Sequence, residues 1–374
     1  MTRSLSKDKI IEMKHIFFNK RGARHSSLGQ FDKAISFYEK AISIKPNYAE
    51  AYYNLGHSYH KLGQLDKAVR SYKKVVDIKP EYAENHTNKI LSVIYYFSKG
   101  QIPEALDVLE ILIKSSPRDA LLFNMIGGCY ATLGELDMSI QNYEQALALK
   151  PNYAIPQHMV NSLTGNTTKE PPKEYVKNLF DDYAERFDDS LVEKLQYKLP
   201  FIIKEFIIKL NNTKSKFKKV IDLGCGTGLA GPGLIEVSDN LTGIDLSENM
   251  IKKAKKLDIY DSLIVGDIVE KLELSEEKYD LFVALDVFVY IGDVTSIFRA
   301  VRKCCNNNSY FIFSIETQKD EGYSLLKSSR YAHSDNYILD VASDGFKFVD
   351  SQSVVLRKEG SNWIDGKVYI LKAS

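Results

Sequence analysis

Three stretches in the first half of the chain end alike: AISFYEKAISIKPNY, AVRSYKKVVDIKPEY and SIQNYEQALALKPNY. Their prolines are Pro46, Pro80 and Pro151, and a fourth candidate, Pro117, falls between the last two. The successive spacings are 34, 37 and 34 residues. A recurring period of this length constrains the fold more than composition does. Each unit is too short to bury an apolar face alone, so neighbours must stack into an array with a shared core.

The second unit presents Tyr52, Leu55, Gly56, Tyr59, Gly63, Ala68, Tyr72 and Pro80; the fourth presents Phe123, Ile126, Gly127, Tyr130, Gly134, Tyr143, Ala146 and Pro151. Gly56 and Gly127 allow two helices to approach closely, while the large residues around them form a buried stripe at helical spacing. Gly63 and Gly134 are expected to end the first helix of each unit, and each proline to close the second. This register resembles the tetratricopeptide repeat, two antiparallel helices per unit. In the first unit Arg21 and His25 stand where apolar residues are expected, which suits a polar capping repeat. The third carries three extra residues, and its first helix is expected to end near Lys99–Gly100. Ala154 to Leu163 reads as a closing helix, so the repeat domain is expected over residues 1–163. Residues 164–174, polar and with two prolines, read as an extended spacer.

From about residue 200 the pattern changes to short β-rich runs between helical ones, the mark of an open α/β sheet. Strands are expected at Lys219–Leu223, Leu241–Asp245, Ser262–Val265, Leu281–Leu285 and Tyr310–Ile315, with late ones near Phe346–Leu356 and Lys367–Leu371. The last two lack a full helix between them. The expected layout is therefore a Rossmann-like, mixed seven-strand sheet with helices on both faces and an antiparallel end.

The segment KKVIDLGCGTGLAG, residues 218–231, carries a strand into Gly224-Cys225-Gly226-Thr227-Gly228. Glycines there let the backbone turn sharply and approach a ligand. Leu229 stands where the third glycine of a dinucleotide fingerprint belongs. Asp245 lies 21 residues past Gly224, at the end of the next strand, where an acid can bridge two ribose hydroxyls. SLIVGDIVEKL then ends its strand before Asp267, and YDLFVALDVFVYIGD ends its strand at Asp286. Gly-x-Gly-x-Gly preceded by Asp222, with acids at the next three strand ends, resembles the class I S-adenosylmethionine-dependent methyltransferases over residues 175–374. The overall layout resembles bacterial methyltransferases that carry such repeats, a group without one common substrate. The resemblance implies S-adenosylmethionine as cofactor. It places Asp267 near the adenine amino group and Asp286 near the methionine end. Asp222, Gly224, Cys225, Gly226, Gly228, Asp245, Leu246, Met250, Asp267, Ile268 and Asp286 form the expected cofactor-binding set, with Cys225 read as a small filler of the loop.

Methyl transfer needs alignment and desolvation more than a dedicated catalytic constellation. The helix KNLFDDYAERFDDSLVEKL, residues 177–195, resembles the lid-like segment of small-molecule members, with Tyr183 and Phe187 able to close over the cofactor. Tyr290 follows the fourth strand at the rim where acceptors bind. After the fifth strand, SSRYAHS brings Arg330, Tyr331 and His333 together: Arg330 to hold a carboxylate, His333 to act as a base. The Asn/Asp-Pro-Pro-Tyr motif of nucleic-acid amino-methylating enzymes is missing, since the fourth strand ends Asp286-Val287-Phe288-Val289-Tyr290. The acceptor is then a small molecule or a protein, and the repeats bind a partner, substrate or second subunit. The competing reading is a binding module whose C-terminal domain senses the cofactor or is inert; an aminopropyltransferase has no specific support.

Charge adds little. Residues 1–80 hold sixteen Lys/Arg against seven Asp/Glu, which fits solvated helix faces or an acidic partner. The four cysteines, Cys129, Cys225, Cys304 and Cys305, form no Cys-x-x-Cys, and no metal site is expected. Neither a signal-peptide pattern nor a long apolar run occurs, so a cytoplasmic location without membrane contact is expected.

Overall fold

The computed structural model describes residues 7–62, 64–80, 89–184, 187–188, 196–210, 216–359 and 362–374. It divides into two compact units, Met1–Gln157 and His158–Ser374. Among its described residues the first contains four helix pairs. These are α1 (Lys7–Ser27) with α2 (Phe31–Ile44), α3 (Ala49–Lys61) with α4 (Leu65–Ile78), α5 (Lys89–Ser98) with α6 (Ile102–Ser115), and α7 (Ala120–Leu133) with α8 (Leu136–Leu149).

The prolines act as the sequence requires. The second helix of each pair ends two residues before Pro46, Pro80, Pro117 or Pro151, because the residue before a proline is driven out of the helical region. Gly134 caps α7 in a left-handed conformation with φ 79°, and Gly100 follows α5 with φ 74°. Gly63, expected to end α3, lies outside the described residues.

Within a pair, one contact recurs. A Cβ added to Gly22, Gly56 or Gly127 would stand 2.5, 2.8 and 2.8 Å from the ring of Tyr38, Tyr72 and Tyr143, respectively. Each tyrosine follows its glycine by sixteen residues and is buried. Gly22 was not singled out in the sequence, although it stands 34 residues before Gly56. The first pair is thus built on the same glycine–tyrosine contact as the others, while the neighbouring Arg21 lies over the rings of Phe17 and Phe37 at 5.4 and 5.3 Å.

The helix α9 (Ala154–Thr164) contains the division between the units. The expected spacer, residues 164–174, falls within the second unit. It is held there: the carbonyl of Lys169 accepts the N–H groups of Gly292 and Asp293 at 3.0 and 2.8 Å. Helices α10 (Lys173–Tyr183) and α11 (Leu199–Leu210) follow.

Then come β1 (Val220–Leu223), α12 (Gly231–Ile235), β2 (Leu241–Asp245), α13 (Glu248–Ala254), β3 (Ser262–Val265), α14 (Ile268–Leu274), β4 (Tyr279–Ala284), α15 (Thr295–Lys303) and β5 (Cys305–Glu316). A short antiparallel pair, β6 (Tyr323–Leu325) with β7 (Tyr331–His333), precedes α16 (Asp335–Ser343), β8 (Phe346–Glu359) and β9 (Asn362–Ala373).

The main sheet has seven strands in the order β3-β2-β1-β4-β5-β9-β8. Strands β1 to β5 are parallel, and β9 runs antiparallel between β5 and β8. The mixed seven-strand layout with an antiparallel end is as the sequence requires; the extra β6–β7 pair falls where a polar loop was expected. Both faces are covered. Ile221, Phe282 and Phe311 pack into one core, and Val220, Leu281 and Ile312 into the other. Central strands buried on both faces therefore read as unbroken apolar runs. The chain leaves β1 toward β2 and β3 on one side and returns to β4 on the other, so the β1–β4 boundary is a switch point where a crevice opens at the strand ends.

The glycine–tyrosine contact leaves no room for a branched side chain. Gly127→Val is expected to destabilise the α7–α8 pair by about 1–3 kcal/mol, as overpacking does. Faster amide exchange over residues 120–149 in the variant would show it, and unchanged protection would refute it.

Candidate functional site

A cavity of about 410 Å³ lies in the second unit. Of the residues marked in the sequence, it is lined by Phe187, Asp222, Gly224, Cys225, Gly226, Asp245, Leu246, Asp267, Ile268, Asp286, Tyr290 and Arg330. They come from the ends of four parallel strands and from distant loops, and the switch point brings them together.

The loop after β1 is shaped by three residues at positive φ: Gly224 at 69°, Gly226 at 55° and Gly228 at 92°. A Cβ on Gly224 would also meet Val287 Cγ2 at 2.5 Å. These glycines answer to conformation and space together. The loop is tied to β2, since the N–H groups of Gly224 and Cys225 donate to the carbonyl of Ile244 at 2.8 and 2.9 Å. Asp245 completes the tie. Its Oδ2 accepts the N–H of Gly226 at 2.9 Å and its Oδ1 the N–H of Ser247 at 2.8 Å. Burial nevertheless pushes its carboxyl up to about 6. Asp222 is more deeply buried. Its Oδ2 accepts the hydroxyl of Tyr260 at 2.8 Å, and burial raises its carboxyl to about 7.

Helix α10 lines the cavity with Lys173, Val176, Leu179 and Phe180. Asp181 anchors it by accepting the Ser247 hydroxyl at 2.6 Å, next to Asp245. Phe180 packs edge-on against Tyr290 at 5.0 Å and Phe187 at 6.1 Å. The hydroxyl of Thr227 donates to Asp188 at 2.5 Å, beside Phe187. Asp267 caps α14 by accepting the N–H of Glu270 at 3.0 Å, and its other oxygen pairs with Lys173 at 3.1 Å.

The far wall rests on buried charges that the sequence reading missed. Asp286 has φ 58°, its N–H donates to Ser314 Oγ at 2.8 Å, and its Oδ1 pairs with Arg357 Nη1 at 3.2 Å. Arg330 pairs with Glu359 and donates to the hydroxyl of Tyr290. The only sequence trace was Glu316, a charge closing the apolar run of β5; Arg357 and Glu359 lie on the polar strand β8, where nothing in the sequence sets them apart.

Several expectations fail or shift. His333 does not line the cavity: it is fully buried on β7, and its Nε2 lies 2.9 and 3.0 Å from the carbonyls of Ile291 and Gly292. Burial lowers its ring to about 4, and its place on β7 keeps it out of reach of an acceptor in the cavity. Tyr331 is also fully buried, with its hydroxyl 2.6 Å from that of Thr168. Alternation along a strand turned these two inward while Arg330, in the turn before β7, reaches the cavity. Arg330 is already held by Glu359, which argues against a role in gripping a carboxylate. Gly228 and Met250 sit behind the wall; Met250 is buried, and its N–H donates to Ser247 Oγ at 3.2 Å. The Tyr183 side chain and residues 185–186 and 189–195 lie outside the described residues. Among the described residues no cluster of His, Cys, Asp or Glu is arranged to hold a metal, and no helix is long and apolar enough to cross a membrane.

An α/β sheet with a glycine-turned loop at its switch point and acids at the strand ends defines a nucleoside-binding class of site. Residues 214–341 match the methyltransferase-domain family model, and residues 22–63, 49–82 and 91–154 match tetratricopeptide-repeat models. The chain therefore carries tetratricopeptide repeats followed by a methyltransferase domain. It is 26% identical over 125 residues to a ubiquinone biosynthesis O-methyltransferase of Hydrogenovibrio crunogenus, covering 32% of this chain and 51% of that protein. For the Proteus mirabilis protein of the same name the identity is 22% over 152 residues, with coverage of 40% and 59%. The chain thus spans about half the length of these curated relatives. A solved S-adenosylmethionine-dependent methyltransferase from Clostridium acetobutylicum is similar with a TM-score of 0.40 and 20% identity, over 52% of this chain and 99% of that one. Magnesium protoporphyrin IX methyltransferase from Synechocystis, solved with S-adenosylmethionine, gives 0.37 and 17%, over 47% and 78%.

Asp222 and Asp245 keep their protons to higher pH in the folded chain than in the unfolded one. The folded state therefore binds more protons between about pH 4 and 7, and these groups lose stability as pH rises through that window. Asp222→Asn, which keeps an acceptor for Tyr260, is expected to gain urea resistance relative to wild type between about pH 5 and 8. A constant difference across that range would contradict the burial argument.

Proposed function

We propose that the second unit transfers a methyl group from S-adenosylmethionine to a nucleophilic atom of a small-molecule or protein acceptor, in the cytoplasm, while the repeats bind a partner, the acceptor or a second copy of the chain. The observation that carries this reading is the charge of the cavity. Among the described residues its wall holds six acids, Glu170, Asp222, Asp245, Asp267, Asp286 and Asp293, of which Asp222 is about half-protonated near neutrality, and two bases, Lys173 and Arg330. Both bases are paired with acids. A dinucleotide would bring a pyrophosphate into this field, whereas a ligand with a sulfonium and an ammonium group carries net positive charge into it.

The residues fit that ligand. Asp245 spends one lone pair of each oxygen on a backbone N–H and keeps others for neighbouring hydroxyls. The glycine loop lets the backbone come close, and Phe180, Phe187 and Leu229 supply apolar wall. When bound, the cofactor supplies a methyl group already activated on sulfur. The chain then has to align the acceptor and exclude water, for which α10 and Phe187 are placed. Tyr290, held by Arg330 and packed on Phe180, is the side chain we assign to touch the acceptor. The names of the curated relatives favour an oxygen acceptor on a small molecule.

Calorimetry on the whole chain tests the cofactor. S-adenosylmethionine is expected to bind and to weaken by about tenfold or more in Asp245→Ala, the loss of a paired hydroxyl contact. NAD is expected not to bind. Tight NAD binding, or equal affinity of wild type and variant for S-adenosylmethionine, would sink the assignment.

A further inference from the structure

Tyr197 stands two residues before α11 and follows Gln196, a left-handed residue with φ 51°. Its ring belongs to the apolar core on one face of the sheet, with Leu199, Ile203 and Val283. Only 3% of the residue is exposed, and it lines the cavity. The hydroxyl lies in the fields of Asp286, Arg357 and Asp222, yet no neighbour bonds to it. Other polar groups of the same wall are matched: Asp222 with Tyr260, Asp267 with Lys173, Asp286 with Arg357 and Arg330 with Glu359. Among the described residues, Tyr197 alone joins a place on that wall to a buried side-chain polar atom without a partner.

Packing does not call for that oxygen. A phenylalanine ring fills the same core, and a buried hydroxyl without a hydrogen bond costs about 1–3 kcal/mol. The atom is therefore one for a ligand to satisfy. Burial holds the phenol in its protonated form, so it has a proton to donate. Its place says to which part of the ligand. Asp222 lies in β1 and Asp286 two residues past β4, neighbouring strands at the switch point. Asp245 and Asp267 stand on the other side, at the ends of β2 and β3. On the cofactor assignment above, Asp245 takes the ribose, which puts the purine toward β3 and the amino-acid end toward β4, beside Tyr197. That end carries an ammonium and a carboxylate. Asp222 and Asp286 suit the ammonium but disfavour the carboxylate, which needs a donor among these acids.

We propose that Tyr197 is a binding residue for the amino-acid end of the cofactor, its hydroxyl donating to the carboxylate while Asp286 takes the ammonium. The proposal rests on the cofactor assignment and adds to it the end of the ligand that this side chain reads. S-adenosylhomocysteine and methylthioadenosine are the natural pair of probes. Both are without net charge near neutrality and share the adenosine and a thioether, but only the first has the amino-acid end.

Calorimetry with both ligands on the whole chain decides it. Wild type is expected to bind S-adenosylhomocysteine about tenfold or more tightly than methylthioadenosine. Tyr197→Phe should weaken S-adenosylhomocysteine about tenfold, ~1.4 kcal/mol, and leave methylthioadenosine within about twofold. Without ligand, the variant should match or exceed wild type in urea resistance, since the oxygen removed has no partner in the chain. Equal weakening of both ligands, or undiminished binding of S-adenosylhomocysteine, would overturn the proposal. So would a variant that fails to fold or loses urea resistance, because the hydroxyl would then brace the chain itself. Wild type that binds both probes equally refutes this proposal alone. Wild type that binds neither probe, nor S-adenosylmethionine, refutes the cofactor assignment as well.

Discussion

A carboxylate taken out of water must find a cation, a set of hydrogen-bond donors or a proton, and the second unit uses all three. Asp286 has the guanidinium of Arg357. Asp245 has two backbone N–H groups, which also fasten the glycine loop to the end of β2. Asp222 has the Tyr260 hydroxyl and, below about pH 7, a proton. The acids are therefore parts of the frame as well as of the wall. The loop, the left-handed turn after β4 and the late hairpin are each held by one of them.

The repeat unit depends on a different constraint. Where Gly22, Gly56 and Gly127 face Tyr38, Tyr72 and Tyr143, the ring replaces a missing side chain and sets how closely two helices pack. Because each contact lies inside one helical hairpin, the array is assembled from local pairs. The sheet, by contrast, joins residues as distant as Asp286 and Arg357.

The cavity also shows how neighbouring residues are assigned opposite tasks. Arg330, Tyr331 and His333 look like one polar cluster in the sequence. In the fold, the turn before β7 sends Arg330 to the cavity, while Tyr331 and His333 are sealed under it, the Tyr331 hydroxyl bonded to Thr168 and the His333 Nε2 to the carbonyls of Ile291 and Gly292. A strand was not expected there because three residues between Arg330 and Ser334 carry too little alternation to be read.

The sequence by itself determined the repeats, the succession of strands along the chain and the residues at their ends. These follow from local rules: a 34-residue period, apolar runs of strand length, and glycines where φ must be positive. Asp222, Asp245, Asp267 and Asp286 were legible because each lies within two residues of a strand's end, and a parallel sheet puts such positions on one edge. Tyr197, Tyr260 and Arg357 were not, and neither was the sealing of His333. Their roles arise from contacts across many tens of residues, where burial, not spacing, decides which charge needs a partner. Only the tertiary structure brings those groups together, because the partner of a buried charge is chosen by proximity in space.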